Sequence, residues 1–327
     1  MTGLGTLVHH LSRRRALATV GAVLASTPFA HAKPLLARTQ EETTGSTRTS
    51  EATSPETLSL VQYIHPEKVY SWVPGFSDEA VLAGLYDLDV AAYEEIKAGF
   101  AAAARSAAEE LLADTSFAAQ VDRLPFKENA LVVAIGESDT DSLQSWFEIV
   151  RFLLDLRRPG DGIQLVNAGI SAQTTTQAFR SLVPVLAQQP DWIICALGGN
   201  DAVRIGPEPA KTLVSIEETT RNLAELRRLA DIKTTAQWVW LGRMPIDQDR
   251  MDAYPPFQMG PVAFNWRNAD MDAVNAWLSE QPDPVVSIHA AFGNPVPPEF
   301  QEPDGLHPTQ AGHQAIAREF VERLGGT

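Results

Sequence analysis

The sequence predicts an α/β domain: a five-stranded parallel sheet covered by helices on both faces, with a helical extension before it. Three observations predict this fold. From Leu131 onward, short apolar runs rich in β-formers alternate with segments apolar at helical spacing. The strand runs are apolar throughout, as strands buried on both faces are. The first three end in turns built from Gly, Ser, Asn and Asp, at the carboxyl edge where open parallel sheets hold ligands.

In chain order, residues 1–32 read as an export signal. Ser12-Arg13-Arg14-Arg15 precedes an apolar stretch from Ala16 to Phe29, and Ala30-His31-Ala32 supplies the small residues of a cleavage site. The arginine pair points to the twin-arginine route. The stretch is too short and too rich in Ala for a convincing membrane span, so no stable membrane insertion is expected after the signal is removed. Residues 33–57 read as a disordered linker, mostly Thr, Ser and Glu from Thr39 on.

Residues 58–128 read as a helical extension. Trp72-Val73-Pro74-Gly75-Phe76 is the clearest feature of its first part, and Ser77-Asp78-Glu79 reads as a helix cap. Ala91 to Asp114 is rich in Ala, Glu and Leu, Asp114-Thr115-Ser116 restarts a helix, and Leu124-Pro125 ends it. The sequence leaves open whether this extension packs beside the core or shapes its cleft.

Residues 129–327 form the α/β domain. The five strands are expected over Leu131–Ile135, Gln164–Val166, Trp192–Ala196, Gln237–Leu241 and Val285–Ile288. Helices are expected over Ser142–Leu156, Thr175–Leu186, Ile216–Ala230, Ala269–Leu278 and Thr309–Leu324. Helical crossovers between successive strands make the sheet parallel.

The 327 residues are 44% hydrophobic, ample for one large core, and carry a formal net charge of −15. That charge argues against nucleic acid or an anionic membrane surface as a partner. The single cysteine, Cys195, lies inside an apolar strand run. An internal disulfide is therefore impossible and a thiolate metal site unsupported. The oligomeric state has no signature in the sequence.

Four short motifs carry the chemistry: Gly136-Glu137-Ser138-Asp139, Asn167-Ala168-Gly169, Gly198-Gly199-Asn200-Asp201 and Asp304-Gly305-Leu306-His307-Pro308. Ser138 follows the first strand, where a turn presents its hydroxyl; alone, it reads equally as a helix cap. His307 supplies the base that a serine nucleophile requires, and Asp304, three residues earlier, can orient the imidazole and stabilise its charged form. His289 and His313 are the rival bases. His289 ends an apolar strand, and His313 has no acidic partner at short range. The N–H groups of Ser138 and Gly169 and the Asn200 amide are candidate oxyanion donors. Gly198-Gly199-Asn200-Asp201 also suits an ordinary turn, and it lacks the lysine and wider glycine spacing of a phosphate loop.

These motifs, in this order, resemble the blocks of the SGNH (GDSL) hydrolase family of esterases and lipases, over about residues 129–325. The resemblance implies a flavodoxin-like three-layer α/β/α sandwich and a serine esterase that needs no cofactor; no metal is expected, and the export signal makes the enzyme a secreted one. It implies Ser138, Asp304 and His307 as catalytic residues, and Ser138, Gly169 and Asn200 as the oxyanion hole. Two positions depart from the family pattern: Glu137 stands where Asp is usual, and Ala172 where many members have Gly. The same residues would serve an acyltransferase acting on a sugar or other alcohol. A non-catalytic ligand-binding domain on this fold is the alternative of another class. The substrate is expected to be a small-molecule, lipid or carbohydrate ester. The long loop Arg243–Phe264 reads either as an apolar wall of the cleft or as a packed surface excursion.

Overall fold

The apolar runs become one sheet because alternate side chains of each strand bury on opposite faces. The computed structural model describes residues 53–205, 211–258, 263–293 and 295–326. Its sheet comprises β1 (Leu131–Gly136), β2 (Gln164–Asn167), β3 (Trp192–Ala196), β4 (Gln237–Leu241) and β5 (Val285–Val286), in the spatial order β2-β1-β3-β4-β5. All neighbours run parallel, with Val133 opposite Val166 and Ile193, and Ile194 opposite Val239. A separate antiparallel ladder joins Arg204–Ile205 to Phe264–Asn265.

The helices are α1 (Pro55–Tyr63), α2 (Pro66–Val69), α3 (Glu79–Leu85), α4 (Val90–Leu112), α5 (Thr115–Asp122), α6 (Ser138–Asp141), α7 (Trp146–Arg157), α8 (Thr175–Ala187), α9 (Ile216–Lys233), α10 (Gln248–Ala253), α11 (Asn268–Ser279), α12 (His289–Phe292) and α13 (Gln310–Gly325). Val133, Ile135, Ile193, Cys195, Trp238 and Trp240 bury one face of the sheet against α8, α9 and α11. Val132, Ala134, Ile194 and Val239 bury the other against α7 and α13. The result is the expected three-layer sandwich. Cys195 is buried, and that burial pushes its thiol up to about 12.

The extension joins this second face. Ala104, Ala107, Ala108 and Leu111 of α4, with Phe117 and Val121 of α5, belong to the same apolar cluster as Trp146, Val150 and Phe320. Small alanine side chains let α4 approach α7 closely, and each large apolar side chain buried there contributes roughly 1.5–3 kcal/mol. Asp78, Asp89 and Asp114 cap α3, α4 and α5 by accepting N–H groups of their first turns. Among the described residues no helix is long and apolar enough to cross a membrane.

Three boundaries differ from the sequence reading. Residues 1–32, and the linker as far as residue 52, lie outside the described residues. The end of the expected linker is helical: Pro55 opens α1 and Ser54 caps it through the Thr57 N–H. The helix expected from Ser142 starts at Trp146, because Ser138–Asp141 makes its own helical turn and Ser142 leaves the helical region at ψ 133°; Ser145 caps the restart. β5 ends at Val286. It is an edge strand paired only through Trp240 and Leu241, so His289 opens α12 instead of ending a strand.

Candidate active site

β1 delivers its last residue, Gly136, directly into the α6 turn. A side chain at Gly136 would collide with Thr140, so the strand-to-helix corner requires glycine. Ser138 opens α6, where the first N–H groups of a helix have no intrahelical acceptor. Its hydroxyl Oγ lies 3.0 Å from His307 Nε2. His307 Nδ1 lies 2.6 Å from Asp304 Oδ2. All three residues are buried.

The Asp304–His307 turn is fixed at both ends. Asp304 Oδ1 accepts the N–H groups of Leu306 (2.8 Å) and His307 (2.9 Å). Gly305 adopts φ +69° and packs against the start of α10, where the Asp247 N–H donates to its carbonyl at 3.0 Å. Burial pushes the Asp304 carboxyl up, but the His307 charge and the hydrogen bonds from His307 and Leu306 more than offset this and hold it below its ordinary value. Burial pushes His307 down, and the Asp304 charge and hydrogen bond reverse this, so the imidazole sits above its ordinary value.

The rival histidines lie elsewhere. His313 accepts the Trp146 N–H at 3.2 Å, and burial drives it down to about 3, so it stays neutral and structural. His289 is partly exposed beside Asp272 at 3.3 Å.

Glu137 explains how the turn tolerates an acid longer than Asp. Its Oε1 accepts the Gly198 N–H (2.7 Å) and the Asn200 N–H (3.1 Å), tying the β3 loop to the nucleophile turn. Its Oε2 faces Arg243 Nη1 at 3.4 Å, and a side chain at Gly199 would come within 2.7 Å of it. Burial pushes Glu137 up to about 8, against the pull of Arg243. The extra methylene therefore reaches across to β3, and Ser138 keeps its contact with His307. Ala172, the other departure, takes φ +61°, the left-handed region that glycine prefers.

Asn200 and Ser138 line one small cleft of about 30 Å³, with Arg243, Met244, Ile246 and Trp266. The Asn200 side-chain amide has no hydrogen-bond partner among the described residues. Gly169 stands against the α6 backbone: a side chain there would meet Asp141 N at 2.7 Å. Its N–H donates to Asn167 Oδ1 at 3.1 Å. Asp201 is buried and anchors the β3 loop by accepting from the Thr175 N–H (2.8 Å) and the Thr219 hydroxyl (2.9 Å). The long loop after β4 serves both expected roles. Met244 and Ile246 wall the cleft, while Met251 and Phe257 pack with Trp266 and Met271 as a small core of their own.

Sequence reasoning missed four neighbours: Tyr63, His65, Lys68 and the buried Asp141. They converge on the site from α1, the α1–α2 turn, α2 and the end of α6. Among the described residues no group of three or more His, Cys, Asp or Glu is placed to hold a metal ion.

Comparison with known proteins follows the same residues. A family model described as GDSL-like Lipase/Acylhydrolase matches residues 133–315. Thioesterase 1/protease 1/lysophospholipase L1 of Escherichia coli K12 is 27% identical over 163 residues, covering 49% of this chain and 66% of that protein. The protein of that name from Escherichia coli O6:H1 matches equally, so this chain spans just under two thirds of the length of these relatives. Among solved structures, LAE5, an alpha/beta hydrolase enzyme from the metagenome of Lake Arreo, is 23% identical with a TM-score of 0.48, covering 61% of this chain and 97% of that one. Axe2, an acetylxylan esterase from Geobacillus stearothermophilus, is 22% identical with a TM-score of 0.46, covering 61% and 96%.

Proposed function

We propose, from the premise that this chain belongs to the GDSL-like lipase/acylhydrolase family, that it hydrolyses carboxylic esters through an acyl-enzyme on Ser138. The observation that carries this reading is the unbroken relay from Ser138 Oγ to His307 Nε2 at 3.0 Å and from His307 Nδ1 to Asp304 at 2.6 Å.

Asp304 holds the proton on Nδ1, which leaves Nε2 as the base. As Ser138 Oγ bonds to the ester carbonyl carbon, Nε2 takes the hydroxyl proton. The tetrahedral intermediate collapses, the alcohol leaves, and His307 returns that proton to it. Water then attacks the acyl-serine, with His307 again acting as base, and releases the acid. The Ser138 N–H, the Gly169 N–H and the Asn200 amide stabilise the oxyanion. The Asn200 amide is uncommitted, whereas the Gly169 N–H must share its donation with Asn167 Oδ1.

The cleft beside Ser138 suits short acyl groups better than long ones, since Met244, Ile246, Trp266 and Met271 close its apolar side. The alcohol is a small molecule or a carbohydrate. A panel of nitrophenyl esters of increasing chain length, run beside acetylated sugars, tests this: turnover should fall as the acyl chain lengthens, and a chelator should leave it unchanged. A serine-directed phosphonate should label Ser138, read by peptide mass spectrometry. A label on another serine would contradict the assignment.

The enzyme is exported. The support is the Arg13-Arg14 pair, the apolar stretch and the Ala30-His31-Ala32 site. Fractionation should find the protein outside the cytoplasm, and replacing Arg13 and Arg14 by Lys should retain it inside.

A further inference from the structure

The family match begins at residue 133, yet the catalytic centre is bounded on one side by residues 61–68. Four contacts tie that segment to the site. The Gln62 side-chain amide donates to Ser142 Oγ at 3.0 Å, just past α6. The ring of Tyr63, itself buried, lies 5.3 Å from the His307 imidazole, centroid to centroid, tilted by 46°. His65 Nδ1 is 2.7 Å from Asp141 Oδ1, and its other ring nitrogen faces the Val61 carbonyl at 3.1 Å. Lys68 Nζ donates to Asp141 Oδ1 at 2.6 Å and to the Gly169 carbonyl at 3.1 Å.

Asp141 is the hub. Its other oxygen accepts the Ser171 N–H at 2.8 Å and the Ser171 hydroxyl at 3.0 Å. One buried carboxylate thus joins the nucleophile helix, the β2 loop that carries Gly169, and the extension. Charge-assisted hydrogen bonds of this kind are roughly twice as strong as neutral ones. Lys68 bridges the only two of these parts that must stand at a fixed distance for catalysis: the helix that presents Ser138 and the loop that presents the Gly169 N–H.

We propose that Lys68 and Tyr63 are positioning residues of this hydrolase. Lys68 clamps α6 to the β2 loop so that nucleophile and oxyanion donor keep their spacing, and Tyr63 covers the His307 imidazole and holds its plane. The proposal rests on the reading of Ser138 and His307 as catalytic. Loss of a clamp displaces groups by fractions of an ångström, which lowers turnover more than substrate binding.

The test uses the full chain, a short nitrophenyl ester, and wild type beside Ser138→Ala. Wild-type hydrolysis that vanishes in Ser138→Ala upholds the underlying reading; an inert wild type, or activity surviving in Ser138→Ala, overturns that reading and this proposal with it. Lys68→Met should lower kcat by roughly 10–10²-fold with KM nearly unchanged, read well below a melting temperature that falls because the buried Asp141 loses its nearest cation. Lys68→Arg, which keeps a donor and its charge, should recover most of the rate. Wild-type kcat in folded Lys68→Met overturns the proposal. Should Lys68→Met fail to fold, Tyr63 decides: Tyr63→Phe keeps the ring and should retain kcat, and Tyr63→Leu should lose it. Equal kcat in those two variants overturns the proposal.

Discussion

Glu137 and Asp141 flank Ser138 on one short turn, both are buried, and their acidities diverge. Burial pushes Glu137 up to about 8, whereas Asp141 is held at about 2. Burial opposes ionisation at both sites, so the difference lies in the partners. Asp141 has Lys68 at 2.6 Å, His65 at 2.7 Å and both donors of Ser171. Glu137 has one guanidinium at 3.4 Å, shared with Asp139 at 3.7 Å, and two backbone N–H groups. Contact distance and number of polar partners, not depth, decide whether a buried acid stays charged. The turn is therefore anchored on one side by an ion cluster to β2 and the extension, and on the other by a carboxyl near neutrality to β3 and Arg243.

That contrast can be broken most forcefully at Asp141. Asp141→Asn leaves Lys68 and His65 facing a neutral amide and should cost about 3 kcal/mol, the lower end for a broken buried pair because Lys68 is partly solvated. Denaturant unfolding at neutral pH measures it. Asn200→Ala, on the loop that Glu137 holds, should leave stability nearly intact and lower turnover by about 10²–10³ with little change in KM. A raised KM with unchanged turnover would instead put Asn200 in ground-state binding.

Glu137→Gln is the milder counterpart, because near neutral pH it replaces a largely protonated carboxyl by a neutral isostere that still accepts the Gly198 N–H. The sign of the pH dependence separates the two acids. A carboxyl raised from 4.5 to about 8 favours the folded state below 4.5 and loses that advantage as pH rises through 8. Asp141, depressed, stabilises above 3.8 and loses its contribution as pH falls through about 2. Buried His313, driven down to about 3, opposes the Glu137 trend up to pH 6.5, so the effect of Glu137 is read as a difference: the melting temperature of Glu137→Gln relative to wild type should rise from pH 4.5 to 8. Asp141→Asn should lower the melting temperature without changing its slope there. The smallest effect is Ala172→Gly, which relieves a left-handed backbone and should stabilise by about 0.5–1 kcal/mol in thermal unfolding.

The parts legible in the sequence are those whose signal is local. Asp304 and His307 share one turn, and Ser138, Gly169 and Asn200 each follow an apolar strand, so spacing alone places them at one edge of the sheet. The five strands were legible for the same reason, as apolar runs between helical segments. His65 and Lys68 were not, since they meet Asp141 across more than seventy residues, one just before and one within a short helix with no pattern of its own. Arg243 looked like the start of a loop, and only the side-by-side order of β1, β3 and β4 sets it beside Glu137. The Arg204–Ile205 ladder is two residues long, below what periodicity detects.

The relay itself is tested most directly by the rate of Ser138→Ala on a short nitrophenyl ester, measured as kcat/KM beside wild type with the fold verified by circular dichroism. Ser138 Oγ is the group within reach of His307 Nε2 at 3.0 Å, so its removal should cost several orders of magnitude while the melting temperature stays close to that of the wild type. A folded Ser138→Ala protein that hydrolyses the ester at the wild-type rate would contradict the account.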